Sequence, residues 1–260
     1  MSKKSRPRVF VAVAFLALVL FASQSAPAAI WSNTELHLQY GALDVPSFAG
    51  GGDKDTTIFT LQHASGWKYG DNFFFFDVIS SKNGGFNDTD TYGEWYSYFS
   101  TRKLAKKEEM KGALKDVRVI VGFNWDPDAD VIKYLPGIGL SWKAKGFAFL
   151  NTDITLYIDD SVGIAGGGGA PSEDDTFMFD VNWAYPVNDK FSIEGHAEYI
   201  GERTNEFGGK VEGWILAQPQ FRFWVSESVA VGIEYQYWMN KLGDGDTDEN
   251  AVQGLLVWKF

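Results

Sequence analysis

Along most of the chain, apolar and polar residues alternate with period two. Val117, Val119, Val121, Phe123 and Trp125 interleave with Arg118, Gly122 and Asn124; Phe177, Phe179, Val181, Trp183 and Tyr185 interleave with Asp180 and Asn182. An extended strand throws successive side chains to opposite faces, so each such segment is a strand with one dry and one wet face. About twelve segments read this way: 34–40, 57–65, 73–80, 91–100, 117–125, 134–143, 147–158, 176–185, 190–200, 212–223, 229–239 and 251–260. Pro219 interrupts the tenth.

A soluble sandwich alternates too, so the placement of rings decides what covers the dry face. Tyr40, Trp125, Trp142, Tyr185, Tyr237, Trp258 and Phe260 fall at or next to strand ends. Rings at both ends of apolar strands match the aromatic girdles of a transmembrane barrel, where they sit at the two headgroup levels. The expected fold is all-β: an up-and-down antiparallel transmembrane barrel of about twelve strands over 29–260.

Connections supply a second test, since outer-membrane barrels alternate short periplasmic turns with longer outer loops. With the first strand leaving the periplasm, the outer loops are 41–56, 81–90, 126–133, 159–175, 201–211 and 240–250. They hold 19 acids against 6 bases. The inner turns are 66–72, 101–116, 144–146, 186–189 and 224–228, all short except 101–116. That segment, TRKLAKKEEMKGALKD, carries charges at helical spacing and is read as a short helix or solvated connector at the inner mouth.

The N-terminus changes the charge balance. Lys3, Lys4, Arg6 and Arg8 precede an apolar run from Val9 to Ala22, too short to span a bilayer as a helix, and Ala26 and Ala28 supply small residues of a cleavage site. Residues 1–28 therefore read as a signal peptide cut after Ala28. Without its four basic residues the formal charge moves from −11 to −15. This is the wrong sign for neutralising nucleic-acid phosphates. The absence of Cys excludes disulfides and thiol chemistry, and 3 His leave little for a histidine metal centre. No cofactor and no metal is expected.

Candidate catalytic chemistry is sparse. The Gly-rich stretches 49–53 and 165–170 match no phosphate-binding loop, and 126–130 and 244–250 resemble calcium loops only faintly. His63 and Ser65 are two apart on the outward face of their strand, as a His–Ser pair of a lipid hydrolase would be. No acid partner is placed for them, and the chain is read as a non-enzyme.

The wet face offers more. Inward parity holds Glu35, His37 and Gln39 on the first strand. It holds Phe75 and Asp77, then Glu94 and Tyr96, on the third and fourth. Phe147, Phe149, Asp153 and Tyr157 follow on the seventh, and Glu194, His196 and Glu198 on the ninth. Trp214, Gln218, Gln220 and Arg222, then Glu234, Gln236 and Trp238, complete it. Rings stack on nucleobases, at about 1–3 kcal/mol each, and carboxylates and amides bond ribose hydroxyls. A lumen so lined suits nucleosides or other small planar solutes. A wall-filling role for the same rings, with a structural or receptor barrel or a cation-leaning pore around them, is the alternative.

Several blocks then carry a resemblance: FTLQHASGWKYGDNFFFFDV (59–78), GEWY (93–96), KDVRVIVGFNW (115–125), LPGIGLSWKAKGFAFLNTDITLY (135–157), ILAQPQFRF (215–223) and the aromatic C-terminal strand. Here the chain resembles the nucleoside-specific channel-forming outer-membrane proteins, the Tsx-like family that includes OmpK-type porins. The resemblance implies a monomeric barrel in the Gram-negative outer membrane, surrounded by lipid and lipopolysaccharide, nucleoside uptake, and use as a receptor by bacteriophage or colicin. Trp258 and Phe260 resemble the terminal signal read by the barrel assembly machinery.

Overall fold

The protein was described from a computed structural model covering residues 29–82 and 89–260. The proposed leader, with Ala26 and Ala28, lies outside the described residues, as does most of the loop 81–90.

The strands are β1 (Trp31–Asp44), β2 (Asp53–Trp67), β3 (Gly70–Ser81), β4 (Thr89–Ser100), β5 (Leu114–Asp126), β6 (Val131–Tyr134), β7 (Gly137–Trp142) and β8 (Phe149–Asp159). They continue as β9 (Thr176–Asn188), β10 (Phe191–Ile200), β11 (Arg203–Thr204), β12 (Lys210–Val211), β13 (Trp214–Ala217), β14 (Gln220–Trp224), β15 (Val229–Met239) and β16 (Glu249–Lys259). Neighbours pair antiparallel in chain order, and β1 closes on β16 through Leu36↔Trp258 and Leu38↔Leu256. The result is a closed barrel of 12 wall strands. Closure removes every sheet edge, the requirement that an open sheet in lipid could not meet.

Two wall strands are broken. β6 and β7 form one strand interrupted at Leu135 and Pro136, and β13 and β14 form another interrupted at Gln218 and Pro219. Proline has no N–H to give the ladder. Its carbonyl still serves: Pro136 accepts from Leu156 N at 3.0 Å and Pro219 from Tyr235 N at 3.0 Å. Gly195 lies opposite the second break at φ 151, where a Cβ would meet the Gln218 carbonyl.

Both described termini lie at one end of the barrel, here the turn end; the other is the loop end. The segment 101–116, read as a short helix or solvated connector, holds one helical turn, Thr101–Leu104, capped by the Ser100 hydroxyl on Lys103 N at 3.0 Å, and is otherwise a connector. Five like-signed side chains between Arg102 and Lys111 crowd this polar segment, which has no apolar face to pack.

The outer face is apolar, with Leu38, Val119, Val121, Ile138, Ile154, Leu156, Val231, Ile233, Val252 and Leu256 each exposed. Girdle rings flank them: Tyr40, Trp125, Trp258 and Phe260 are exposed too. No helix among the described residues is long and apolar enough to cross a membrane.

Candidate functional site

Burial is inverted relative to a soluble protein, since polar side chains lie inside. One wall of the lumen is a ladder of rings on β3 and β4. Phe73, Phe75 and Tyr92 follow one another with centroids 6.2 Å and 5.9 Å apart, and Tyr96 stacks on Tyr98 at 6.0 Å. Glu94 sits between the tyrosines and accepts from both hydroxyls, Tyr92 at 2.5 Å and Tyr96 at 2.9 Å. The Arg118 guanidinium covers Tyr98 at 4.3 Å and reaches Asp153 at 3.0 Å. Gly139 makes that pair possible, because a Cβ there would collide with the Asp153 carboxylate.

The facing wall is an amide and ion-pair network on β1, β10 and β14–β16. Arg222 reaches Glu35 at 3.0 Å and Glu194 at 3.2 Å, and Glu35 holds His37 at 2.9 Å. Gln220 bonds Glu234 at 2.6 Å, Gln218 bonds Gln236 at 2.9 Å, and Gln236 donates to Glu249. Each partner satisfies another, which is the condition for burying such groups.

A row of carboxylates joins the two walls. The β8–β9 register sets Asp153 opposite Asp180, and the β9–β10 register sets Asp180 opposite Glu198. Acids directly opposite on one face repel. Arg118 answers the first; His196 Nδ1, 3.3 Å from Asp180, answers the second.

Towards the loop end the lumen becomes apolar. Ile120, Leu135, Met178 and Ile200 are at most 2% exposed and pack with Tyr157, Val211 and Trp214. On the opposite side Leu43, Ile58 and Ala251 form a second group. Above these groups Glu173 bridges Lys133 and Arg203, each at 2.7 Å, and Arg203 lies 4.3 Å over Trp214. Glu206 takes the amide of Ile164 at 2.7 Å, fastening loop 201–213 to loop 160–175. Asp244 accepts from Ser47 N at 2.6 Å and from Thr247 at 2.7 Å, fastening the β15–β16 loop to the β1–β2 loop. Slight burial works against its charge, but these hydrogen bonds hold its carboxyl below the ordinary range.

The predicted lumen residues Phe75, Asp77, Glu94, Tyr96, Asp153, Tyr157, Glu194, Glu198, Trp214, Gln218, Gln220, Arg222, Glu234 and Gln236 all carry inward register. Two rings differ. Phe149 has inward parity but lies at the turn-end rim, 46% exposed, and Phe147 packs 5.0 Å from Tyr185, on the outer face. Both precede the level at which β7 and β8 close the wall. The rings are also packed against one another rather than wet. Arg118, Tyr92, Tyr98, Lys133, Arg203 and Gln253 belong to the lining and were not singled out beforehand; inward parity marks most of them, whereas Arg203 arrives from a loop.

His63 faces outward as expected, but its Nδ1 lies 2.8 Å from the Thr34 hydroxyl and its ring stacks on Phe74 at 5.3 Å. Phe74 in turn stacks on Trp95. The imidazole thus has partners other than Ser65. In the faint calcium loops, Asp126 caps Ala129 N and Asp248 caps Asn240 N, so those carboxylates hold loop backbone.

No family model and no curated protein matches the chain. Among solved structures it is similar to the NanC porin, with TM-score 0.56 and 13% identity over 86% of this chain and 100% of that one. It is also similar to the Salmonella typhi outer membrane phospholipase dimer with bound calcium, with TM-score 0.53 and 11% identity over 90% and 94%. The chain has the fold of an outer-membrane barrel. A porin and a hydrolase share that fold, so it does not select the activity.

Proposed function

We propose that the protein is a bacterial outer-membrane channel for facilitated diffusion of small planar solutes, with nucleosides as the substrate class. The observation supporting this reading is the Tyr92–Glu94–Tyr96 arrangement on one wall facing the Gln218–Gln236–Glu234 amides and carboxylate on the other. A base stacks against the half-buried rings of Phe75 and Tyr92 while its ribose hydroxyls exchange bonds with the facing network. Each contact is weak, so a solute binds and leaves. The outward apolar belt and its girdle rings support the membrane setting. Liposomes containing the purified barrel test it: adenosine or uridine should enter faster than a non-aromatic sugar derivative of similar mass, and equal rates would remove the specificity.

A second reading is favoured by the apolar packing of Ile120, Leu135, Met178 and Ile200. On it the barrel is a closed structural or receptor protein whose acidic loops are the working surface. Absence of any uptake in the same liposomes supports this one.

A further inference from the structure

Asp180, His196 and Glu198 offer one donor atom each within 4.8 Å of one another on the lumenal face of β9 and β10. We propose that these three residues bind one divalent first-row transition ion, such as Zn²⁺, inside the barrel. The proposal goes beyond the solute reading and does not depend on it.

The hydrogen bonds around His196 carry the argument. Gln218 commits its amide nitrogen to Gln236 at 2.9 Å, so its carbonyl oxygen is what meets His196 Nε2 at 2.9 Å. A carbonyl only accepts, so Nε2 must carry the proton. Nδ1 is left pointing at an Asp180 oxygen 3.3 Å away. A neutral ring would there set a lone pair against a carboxylate, so the gap calls for a proton or a metal ion between the two atoms. Two donors each ~2.1 Å from an ion at a tetrahedral angle lie ~3.4 Å apart, so the spacing is close to that of two ligands of one metal.

The surroundings agree with that choice. The other Asp180 oxygen accepts from Asn182 at 2.7 Å, and Gln218 orients the ring, which together form the outer support a histidine metal site uses. Asp180 and Glu198 are cross-strand partners of like charge, a pairing a bound cation would relieve. The imidazole keeps 31% of its surface open to the lumen, so an ion has access. A mixed nitrogen and oxygen set favours Zn²⁺, Co²⁺ or Ni²⁺ over Ca²⁺ or Mg²⁺. By contrast, the loop-end trio Asp90, Asp126 and Asp128 has no nitrogen donor, and Asp128 is already used by Thr91.

The test is titration of the folded, detergent-solubilised barrel with Co²⁺ and Zn²⁺, following the visible Co²⁺ bands and the heat of Zn²⁺ binding. The expected result is one saturable site, lost in His196→Gln, weakened ~10–100-fold in Gln218→Leu and unchanged in Asp128→Asn. Glu198→Gln, which preserves volume, gives the same reading if His196→Gln does not fold. Binding that survives His196→Gln and Glu198→Gln, binding lost in Asp128→Asn, or no saturable binding to the wild type would each overturn the proposal; the last leaves His196 as an ion-pair partner only. Nucleoside uptake is read separately in liposomes, so failure of either idea leaves the other standing.

Discussion

Arg222 on β14 and Glu35 on β1 meet at 3.0 Å across a sequence separation of 187 residues, both side chains at most 4% exposed. Two strands, β15 and β16, lie between them in the wall, so the pair braces the lumen across its closing seam. Removing one partner leaves a buried charge with too few neighbours, which costs about 3–5 kcal/mol. Glu35→Ala should lower the urea midpoint of the refolded barrel accordingly. The triple variant Glu35→Leu, Arg222→Met and Glu194→Gln should recover much of the loss, because the carboxylate that Arg222 also pairs is neutralised and no lone charge remains; recovery no better than Glu35→Ala alone would contradict this account.

The apolar layer makes a prediction that couples stability to passage. Leu135 is fully buried in the lumen, and Leu135→Ala should cost about 2–5 kcal/mol of unfolding free energy while opening space beside Ile120. Raised conductance in this variant, with reduced stability, is the expected pair of readings. Lower stability with unaltered conductance would place the closure elsewhere.

At the loop end, the Asp244 clamp should depend on pH. Its carboxyl is held below the ordinary range, so its stabilising contribution is complete above the unfolded carboxylate pKa and is lost as pH falls through the lower folded value. Limited proteolysis should find the 240–248 loop protected at pH 7 and cut faster in Asp244→Asn. Equal cleavage of the two proteins at pH 7 would show that the Ser47 contact does not hold the loops together.

His63 is engaged by Thr34 and stacked on Phe74, so purified protein and Ser65→Ala should show the same background of phospholipid deacylation. Ser65-dependent release of fatty acid would overturn the non-enzymatic reading.

The barrel was legible because its chemistry repeats every second residue: Val117 to Trp125 and Val252 to Trp258 state their outward face directly, and parity placed Glu94, Asp153 and Gln236 inward. Pattern alone could not separate a wet ring from a packed one. Tyr96 and Tyr157 look alike in either case, and only the arrival of Leu135, Val211 and Arg203 from breaks and loops closes the space around them. Cross-strand register was also hidden, so the row Asp153, Asp180 and Glu198 could not be assembled from three separate segments. Charge spacing over 101–116 left a short helix and a solvated connector both open, and with no apolar stripe to bury the segment forms one turn and is otherwise a connector.

Single-channel recording in planar bilayers, with adenosine added stepwise from micromolar to millimolar, tests the central claim most directly. A conductance that adenosine blocks in a concentration-dependent manner, with the block relieved in Tyr92→Ala, is the predicted result. A conductance indifferent to adenosine and to every other nucleoside would contradict it.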